Sequence, residues 1–90
     1  MKHDPVFLKD LKVGDLVYLK YTTLKGLMNY LPGLKLESIN GHVFWFQQPA
    51  KGRCIQLRCY LGYDELRSVK GGMYRLIGYH HSSVSAYRST

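Results

Sequence analysis

The stretch that decides the predicted fold is Leu34–Gln47, LKLESINGHVFWFQ, which is typical of a β-hairpin. Asn40-Gly41 is the strongest short hairpin signal, because both residues tolerate the positive φ angles that a type I′ turn requires. With these two residues as the loop, Lys35 lies opposite Phe46, and residues that lie opposite each other share a face of the sheet. The predicted core face carries Leu34, Leu36, Ser38, Val43 and Trp45, and the predicted solvent face carries Lys35, Glu37, Ile39, His42, Phe44 and Phe46.

Other segments have the β-branched and aromatic content of strands, and these are Leu16–Thr22, Cys54–Tyr60 and Met73–His80. Alternation along the first two predicts that their odd-numbered residues point into the core. Arg58 and Tyr60 are then expected to point outward. Gly78 in the third segment predicts a bulge or a bend.

A short helix is predicted between the first strand and the hairpin. Its apolar residues follow the i, i+3, i+4, i+7 spacing of an amphipathic helix, and they are Leu24, Leu27, Met28 and Leu31. Pro32-Gly33 is expected to end this helix. Residues 62–69 are interpreted as a turn of helix or an irregular connection.

The segment Leu11–Tyr18, LKVGDLVY, resembles the first strand of many SH3-like barrels, including Tudor-type, KOW-type and retroviral integrase C-terminal domains. The resemblance implies a fold and no single function, because proteins with this fold bind DNA, RNA, peptides or methylated side chains. We therefore predict a mainly β (β-rich α+β) protein, a small SH3-like, partly open barrel of four to five antiparallel strands with one short helix inserted after the first strand. This single domain is expected to span residues 1–81, with residues 82–90 as a flexible tail.

Basic residues outnumber acidic residues in this chain, with 13 Lys and Arg against 6 Asp and Glu and a formal net charge of +7. Such a balance favours polyanionic partners, nucleic acid first, and an acidic protein is the alternative. The polar start of the chain and the lack of a long apolar run predict a cytoplasmic protein that does not bind a membrane. Cys54 and Cys59 are five residues apart on one predicted strand, so they point to opposite faces and are expected to be free thiols.

The titratable residues follow no catalytic or metal-binding pattern. The four histidines show no His-x-His or His-x3-His spacing, and the adjacent His80 and His81 point to opposite faces of a strand. Asp64 and Glu65 are neighbours in a predicted turn, and no Gly-x4-Gly-Lys phosphate loop is present. We therefore predict a protein that is not an enzyme and that uses no metal, no cofactor and no small-molecule substrate.

Basic and aromatic side chains share the predicted solvent face. Aromatic rings stack on unpaired bases, while Lys and Arg neutralise phosphates, so this combination predicts binding of DNA or RNA. The alternative is a protein-interaction module, such as a phage- or plasmid-borne inhibitor or adaptor that binds a larger protein. Burial of the two phenylalanines in a minor core stays open at this point. The predicted binding residues are Lys35, Phe44, Phe46, Lys51, Arg53, Arg58 and Tyr60.

Overall fold

Eight antiparallel strands form one sheet in the computed structural model, which describes residues 3–23, 25–60, 63–80 and 84–89. The strands are β1 His3–Val6, β2 Leu16–Thr22, β3 Met28–Asn40, β4 Val43–Gln48, β5 Arg53–Tyr60, β6 Tyr63–Lys70, β7 Met73–His80 and β8 Ser85–Ser89. Their order across the sheet is β1-β8-β2-β3-β4-β5-β6-β7, so β2 to β7 form a meander and β8 lies between β1 and β2. Short 3-10 turns cover Leu8–Asp10 and Pro49–Lys51.

The sheet curls around a single hydrophobic core. The molecule measures 30 × 29 × 26 Å, whereas a flat single-layer sheet would be much thinner than it is wide. Buried residues of β2 to β6 and of β8 form one cluster, so the concave face is the core face. The sheet stays open, because β1 and β7 are its two edges and do not pair with each other in the part of the chain that the structure describes. In that part, no helix has the length and apolar character needed to cross a bilayer.

Several local predictions are confirmed. The protein is mainly β with an antiparallel sheet, and β2 and β7 have the predicted bounds. Val17 and Leu19 in β2, and Ile55 and Leu57 in β5, are 0–1% exposed, as their alternation predicts. The β6–β7 register shifts beside Gly78, where a bulge is expected. Both cysteines are free.

The predicted number of strands and the predicted helix are wrong. Eight strands in this order replace the four to five of the SH3-like pattern. The helix is replaced by a β2–β3 hairpin in which Thr22 pairs with Met28. Gly26 has a φ of 81°, in the left-handed region that a continuous right-handed helix excludes. Leu24, the first residue of the predicted helix, lies outside the described residues.

Three segments that were not predicted to be strands belong to the sheet, and the first of them is β1 in the polar start of the chain. β6 replaces the predicted turn or irregular connection, and Gly62 lies outside the described residues. β8 replaces most of the predicted tail, because it pairs with both β1 and β2 and buries Ala86 to 4% exposure. Residues 82, 83 and 90 of that tail lie outside the described residues.

The hairpin register differs from the prediction, and this reverses the faces of β4. The loop is Gly41-His42, and a register shift at Glu37 brings Leu36 opposite Phe46. A one-residue slip in pairing moves every side chain of a strand to the other face. Phe44 and Phe46 are therefore in the core at 7% and 0% exposure, and the predicted core residues Val43 and Trp45 are half-buried on the convex face.

Candidate functional site: a basic cleft

A cleft of about 500 Å³ opens where the concave face of the sheet reaches the edge strand β7. Its walls come from the 3-10 turn before β5, the start of β5, the end of β6 and the start of β7. The residues that line this basic cleft are Lys51, Arg53, Ser68, Lys70, Met73, Tyr74 and Arg75. Four of these residues are cationic and none is acidic, which makes the cleft a candidate anion-binding site.

A tight glycine turn builds the outer wall of the cleft. Gly71-Gly72 is the two-residue loop between β6 and β7, with φ angles of 61° and 82°. Glycine adopts positive φ without steric cost, so this pair permits a tight hairpin. The resulting register sets Ser68 opposite Arg75, so the Arg75 side chain extends from the concave face together with Lys70.

Arg53 is held in place by a buried glutamine. Gln48 is 2% exposed, and its Nε2 donates a hydrogen bond of 2.8 Å to the Pro32 carbonyl. Its Oε1 accepts a hydrogen bond of 2.7 Å from Arg53 Nε. Burial raises the pKa of nearby Tyr21, and the Arg53 guanidinium partly opposes that rise. The Arg53 side chain is thus oriented at Nε, while its terminal amino groups remain available as donors.

Within the described residues, no acidic side chain forms an ion pair with a cleft cation. The ion pairs among the described residues are Arg58–Glu65, Arg67–Glu65 and Arg88–Asp15, and none of them involves a cleft residue. The register that pairs Cys54 with Val69 also brings Arg53 and Lys70 together at the ends of β5 and β6. Like charges in neighbouring cross-strand positions repel each other, so this arrangement costs stability and raises the local positive potential.

The other predicted cations lie on the convex face. The Arg58 guanidinium lies 5.0 Å from the centre of the Tyr60 ring, and its Nη1 is 3.7 Å from an oxygen of Glu65. Glu65 is 4% exposed, so water screens its carboxylate only weakly. The carboxylate therefore offsets the charge of the nearby Arg58 guanidinium. Lys35 is exposed on β3, opposite Gln47.

The surface predicted from the sequence is therefore divided among three places. Lys51 and Arg53 line the basic cleft, whereas Lys35, Arg58 and Tyr60 are on the convex face. The placement of Phe44 and Phe46 on the solvent face is wrong, because their nearly parallel rings, 6.4 Å apart, are part of the main core. The open alternative, in which they are buried, is the one observed.

Sequence reasoning missed Lys70 and Arg75. A signal for them was present in Gly71-Gly72, because a Gly-Gly pair between two β-like segments indicates a two-residue hairpin. If Gly71-Gly72 is interpreted as a hairpin loop, residues 63–70 are predicted to be a strand, and Arg75 is predicted to lie beside that strand. The convergence with Lys51 and Arg53 depends on the curl of the sheet, which no local pattern encodes.

Cys59 is a thiol of low reactivity on the concave face. Burial, together with the nearby Asp64 carboxylate, raises its pKa to about 12. The thiolate is the reactive form, so little of this group is reactive at neutral pH. Among the described residues, no three His, Cys, Asp or Glu side chains form a group that could hold a metal ion.

Comparison with known proteins identifies no relative, since no family description, no curated protein and no solved structure matches this chain.

Proposed function

We propose that this protein binds nucleic acid, DNA or RNA, through the basic cleft and that it acts by binding rather than by catalysis. The observation that carries the proposal is the convergence of Lys51, Arg53, Lys70 and Arg75 on one concave surface without a carboxylate. Lys and Arg neutralise phosphates and release condensed counterions, which supplies most of the affinity of non-specific nucleic-acid binding. We further propose that it acts in the cytoplasm, where free thiols persist.

The proposal keeps Lys51 and Arg53 from the residues predicted by sequence and adds Lys70 and Arg75. Lys35, Arg58 and Tyr60 fall outside the proposed surface and supply comparison variants. Phe44 and Phe46 have no direct role in it, because a buried ring cannot stack on a base.

The number of cleft cations sets the expected salt dependence. If all four contact phosphates, log K falls against log salt with a slope of about −2.8 on single strands and about −3.6 on duplex. Affinity is then expected to fall about 50- to 150-fold between 50 and 200 mM salt. Fluorescence anisotropy with labelled DNA and RNA oligonucleotides at several salt concentrations measures both values.

Variants with the same chemical change locate the surface. Lys70→Ala removes one phosphate contact, so it should weaken binding about five- to eightfold at 0.1 M salt and reduce the slope by about 0.7–0.9. Lys35→Ala removes the same charge from the convex face and should leave the slope unchanged. Circular dichroism melts of both variants verify that they are folded.

Two results would refute the proposal. Undetectable binding of DNA and RNA at 20 mM salt would remove the function itself. An effect of Lys35→Ala or Arg58→Ala as large as that of Lys70→Ala would move the surface to the convex face that the sequence predicted.

A second candidate function, recognition of an acidic protein segment, is supported by the edge of the sheet. Within the described residues β7 pairs only with β6, and Met73, Tyr74 and Leu76 are 77%, 60% and 46% exposed. An extended peptide can add to such an edge through main-chain hydrogen bonds. The flanking cleft cations would favour acidic side chains on that peptide, as expected for the target of an inhibitor or adaptor.

The Leu76→Lys variant separates the two functions, because it should weaken the one and leave the other unchanged. A lysine on an edge strand disfavours strand addition, so a peptide partner should bind more weakly. Oligonucleotide binding should stay unchanged, because Leu76 is opposite Arg67 and its side chain is on the convex face, away from the cleft cations. A polyglutamate peptide and an oligonucleotide of equal charge are suitable probes, and tighter binding of polyglutamate to the unmodified protein would favour the protein partner.

A further inference from the structure

The inner end of the basic cleft is formed by Arg53 and Ser68, which are the least exposed of the residues that line it. Ser68 is 6% exposed, and Ile55, which lies opposite it on β5, is 0% exposed. Behind Arg53 lies Gln48, which is 2% exposed. The cleft is therefore closed at this end, because the hydrophobic core begins there.

The Arg53 guanidinium has a fixed orientation at the inner end of the cleft. Its Nε–H is used in the 2.7 Å hydrogen bond to Gln48, which is itself held by the Pro32 carbonyl. The two terminal amino groups form a planar pair of donors that matches two oxygens of one phosphate. A lysine has the same charge but lacks this pair, so bidentate binding at this position requires arginine.

The positive charge at the inner end favours a phosphate with more than one negative charge. Arg53 and Lys70 are neighbours at the ends of β5 and β6, and none of the residues that line the cleft is acidic. An internal phosphodiester of a nucleic acid carries one negative charge, whereas a terminal phosphate monoester carries about −1.5 to −2 at pH 7. A terminal phosphate therefore offsets the repulsion between these two cations better than an internal phosphate does.

A closed cleft also restricts how a strand can approach Arg53. An internal phosphate has chain on both sides, so the strand must enter and leave through the same opening to bring that phosphate to the guanidinium. A terminal phosphate has chain on one side only and offers three acceptor oxygens. It can reach Arg53 while the following nucleotides stay at the opening, where Lys51 and Arg75 are exposed.

We propose that the inner end of the basic cleft binds the terminal phosphate of a nucleic-acid strand, with two of its oxygens on the terminal amino groups of Arg53. This inference rests on the proposed function and names the part of the nucleic acid that the same site recognises. The exposed cations contact phosphates further along the strand and supply affinity that does not depend on the end. Recognition of the end depends on the paired donors of Arg53 more than on its charge.

The test uses a 12-nucleotide single strand with an internal fluorescent label, prepared with a 5′-phosphate, with a 3′-phosphate or with hydroxyls at both ends. Fluorescence anisotropy at 0.1 M salt measures the affinities. At least one phosphorylated strand should bind about 10- to 150-fold more tightly than the unphosphorylated strand, as expected for a charge-assisted contact. Arg53→Lys keeps the charge but loses the paired donors, so it should reduce this ratio to less than about threefold and leave the salt slope unchanged.

The matched control is Arg58→Lys, which makes the same change at a half-buried arginine of the convex face and should leave the ratio unchanged. Circular dichroism verifies that both variants are folded, and the ratio of the unmodified protein tests the inference without any variant. A nucleoside 5′-monophosphate, used as a competitor, distinguishes a strand end from a free nucleotide. It should displace the phosphorylated strand only at a concentration at least about tenfold higher than the unlabelled strand requires, because it lacks the further phosphates.

Three results would overturn this inference and leave the proposed function standing if Lys70→Ala still weakens binding. The first is equal affinity for the three strands, and the second is a ratio that Arg53→Lys does not change. The third is displacement by the mononucleotide at the same concentration as by the strand, which would assign the cleft to free nucleotides. Absence of any nucleic-acid binding at 20 mM salt would overturn both the inference and the proposed function.

Discussion

Replacing Phe46 by glutamine is expected to unfold the protein, whereas the same replacement of the adjacent Trp45 is expected to leave it folded. Phe46 is 0% exposed and Trp45 is half-buried on the opposite face. The comparison tests the register of the β3–β4 hairpin, because the register predicted from the sequence places the two residues the other way round.

The magnitudes follow from burial. Truncating a buried phenylalanine costs about 3–5 kcal/mol, and a buried amide without partners adds about 1–3 kcal/mol. The sum of about 4–8 kcal/mol is comparable with the whole unfolding free energy of a 90-residue protein, about 5–13 kcal/mol. At Trp45 an amide can still reach water, so the cost is limited to lost contacts, at most about 3 kcal/mol.

Urea denaturation followed by far-UV circular dichroism measures the change in unfolding free energy, since the signal of the backbone remains when the single tryptophan is replaced. Phe46→Leu, which keeps the site apolar, serves as a control that should remain folded. The tryptophan of the unmodified protein gives a second readout, because a half-buried ring should be quenched by acrylamide and a core ring should not. A Trp45→Gln variant less stable than Phe46→Gln, together with a protected tryptophan, would refute the observed register.

Three further predictions concern charge and titration. Lys70→Glu should raise the unfolding free energy by about 0.2–1 kcal/mol while it weakens oligonucleotide binding, because it replaces a cross-strand repulsion by an attraction; a lower urea midpoint would contradict this. The Cys59 thiol, with its pKa of about 12 against an ordinary value of 9.0, should react with iodoacetamide at pH 8 about a thousandfold more slowly in the folded protein than in urea. Because its folded pKa is raised, stability should be unaffected by this group below pH 9 and should fall between pH 9 and 12, and a Cys59→Ala variant should fall less. The hydrogen bond from the Lys12 amide, together with Arg88, lowers the pKa of Asp15 below 3.8, so Asp15→Asn should cost at most about 1 kcal/mol at pH 7 and progressively less as the pH falls through that lowered pKa; a cost that does not decrease in acid in thermal melts would argue against the ion pair.

Strand positions were predictable wherever the information is local. In β2 and β5 the alternation of apolar and polar residues identifies both the strand and its buried face, and the observed burial agrees. β6 and β8 were missed because their sequences are polar. β6 buries Asp64 and Glu65, and Glu65 forms ion pairs with Arg67 of the same strand and with Arg58 of β5, which only the fold brings beside it.

The candidate site was predictable in part. Lys51 and Arg53 were found because they flank a turn beside a recognisable strand. Lys70 and Arg75 were not found, because a single charged residue in the sequence does not indicate a binding site. Only the fold brings these two residues next to the other cleft cations. The prediction of exposed aromatic residues was wrong for a related reason. Exposure of Phe44 was inferred from a hairpin register, and packing of the whole sheet favours a different register.

By itself the sequence determined the β class, the positions of the strongly alternating strands and the net positive charge, because these follow from neighbouring residues and from composition. Only the tertiary structure decided the register of the hairpin and the place where the cations meet. Asn40-Gly41 permits more than one pairing, and the pairing observed is the one that places both Phe44 and Phe46 in the single core, to which residues of β2, β6 and β8 also contribute. The gain from burying two rings outweighs the cost of a bulge at Glu37, and that balance involves the whole curved sheet.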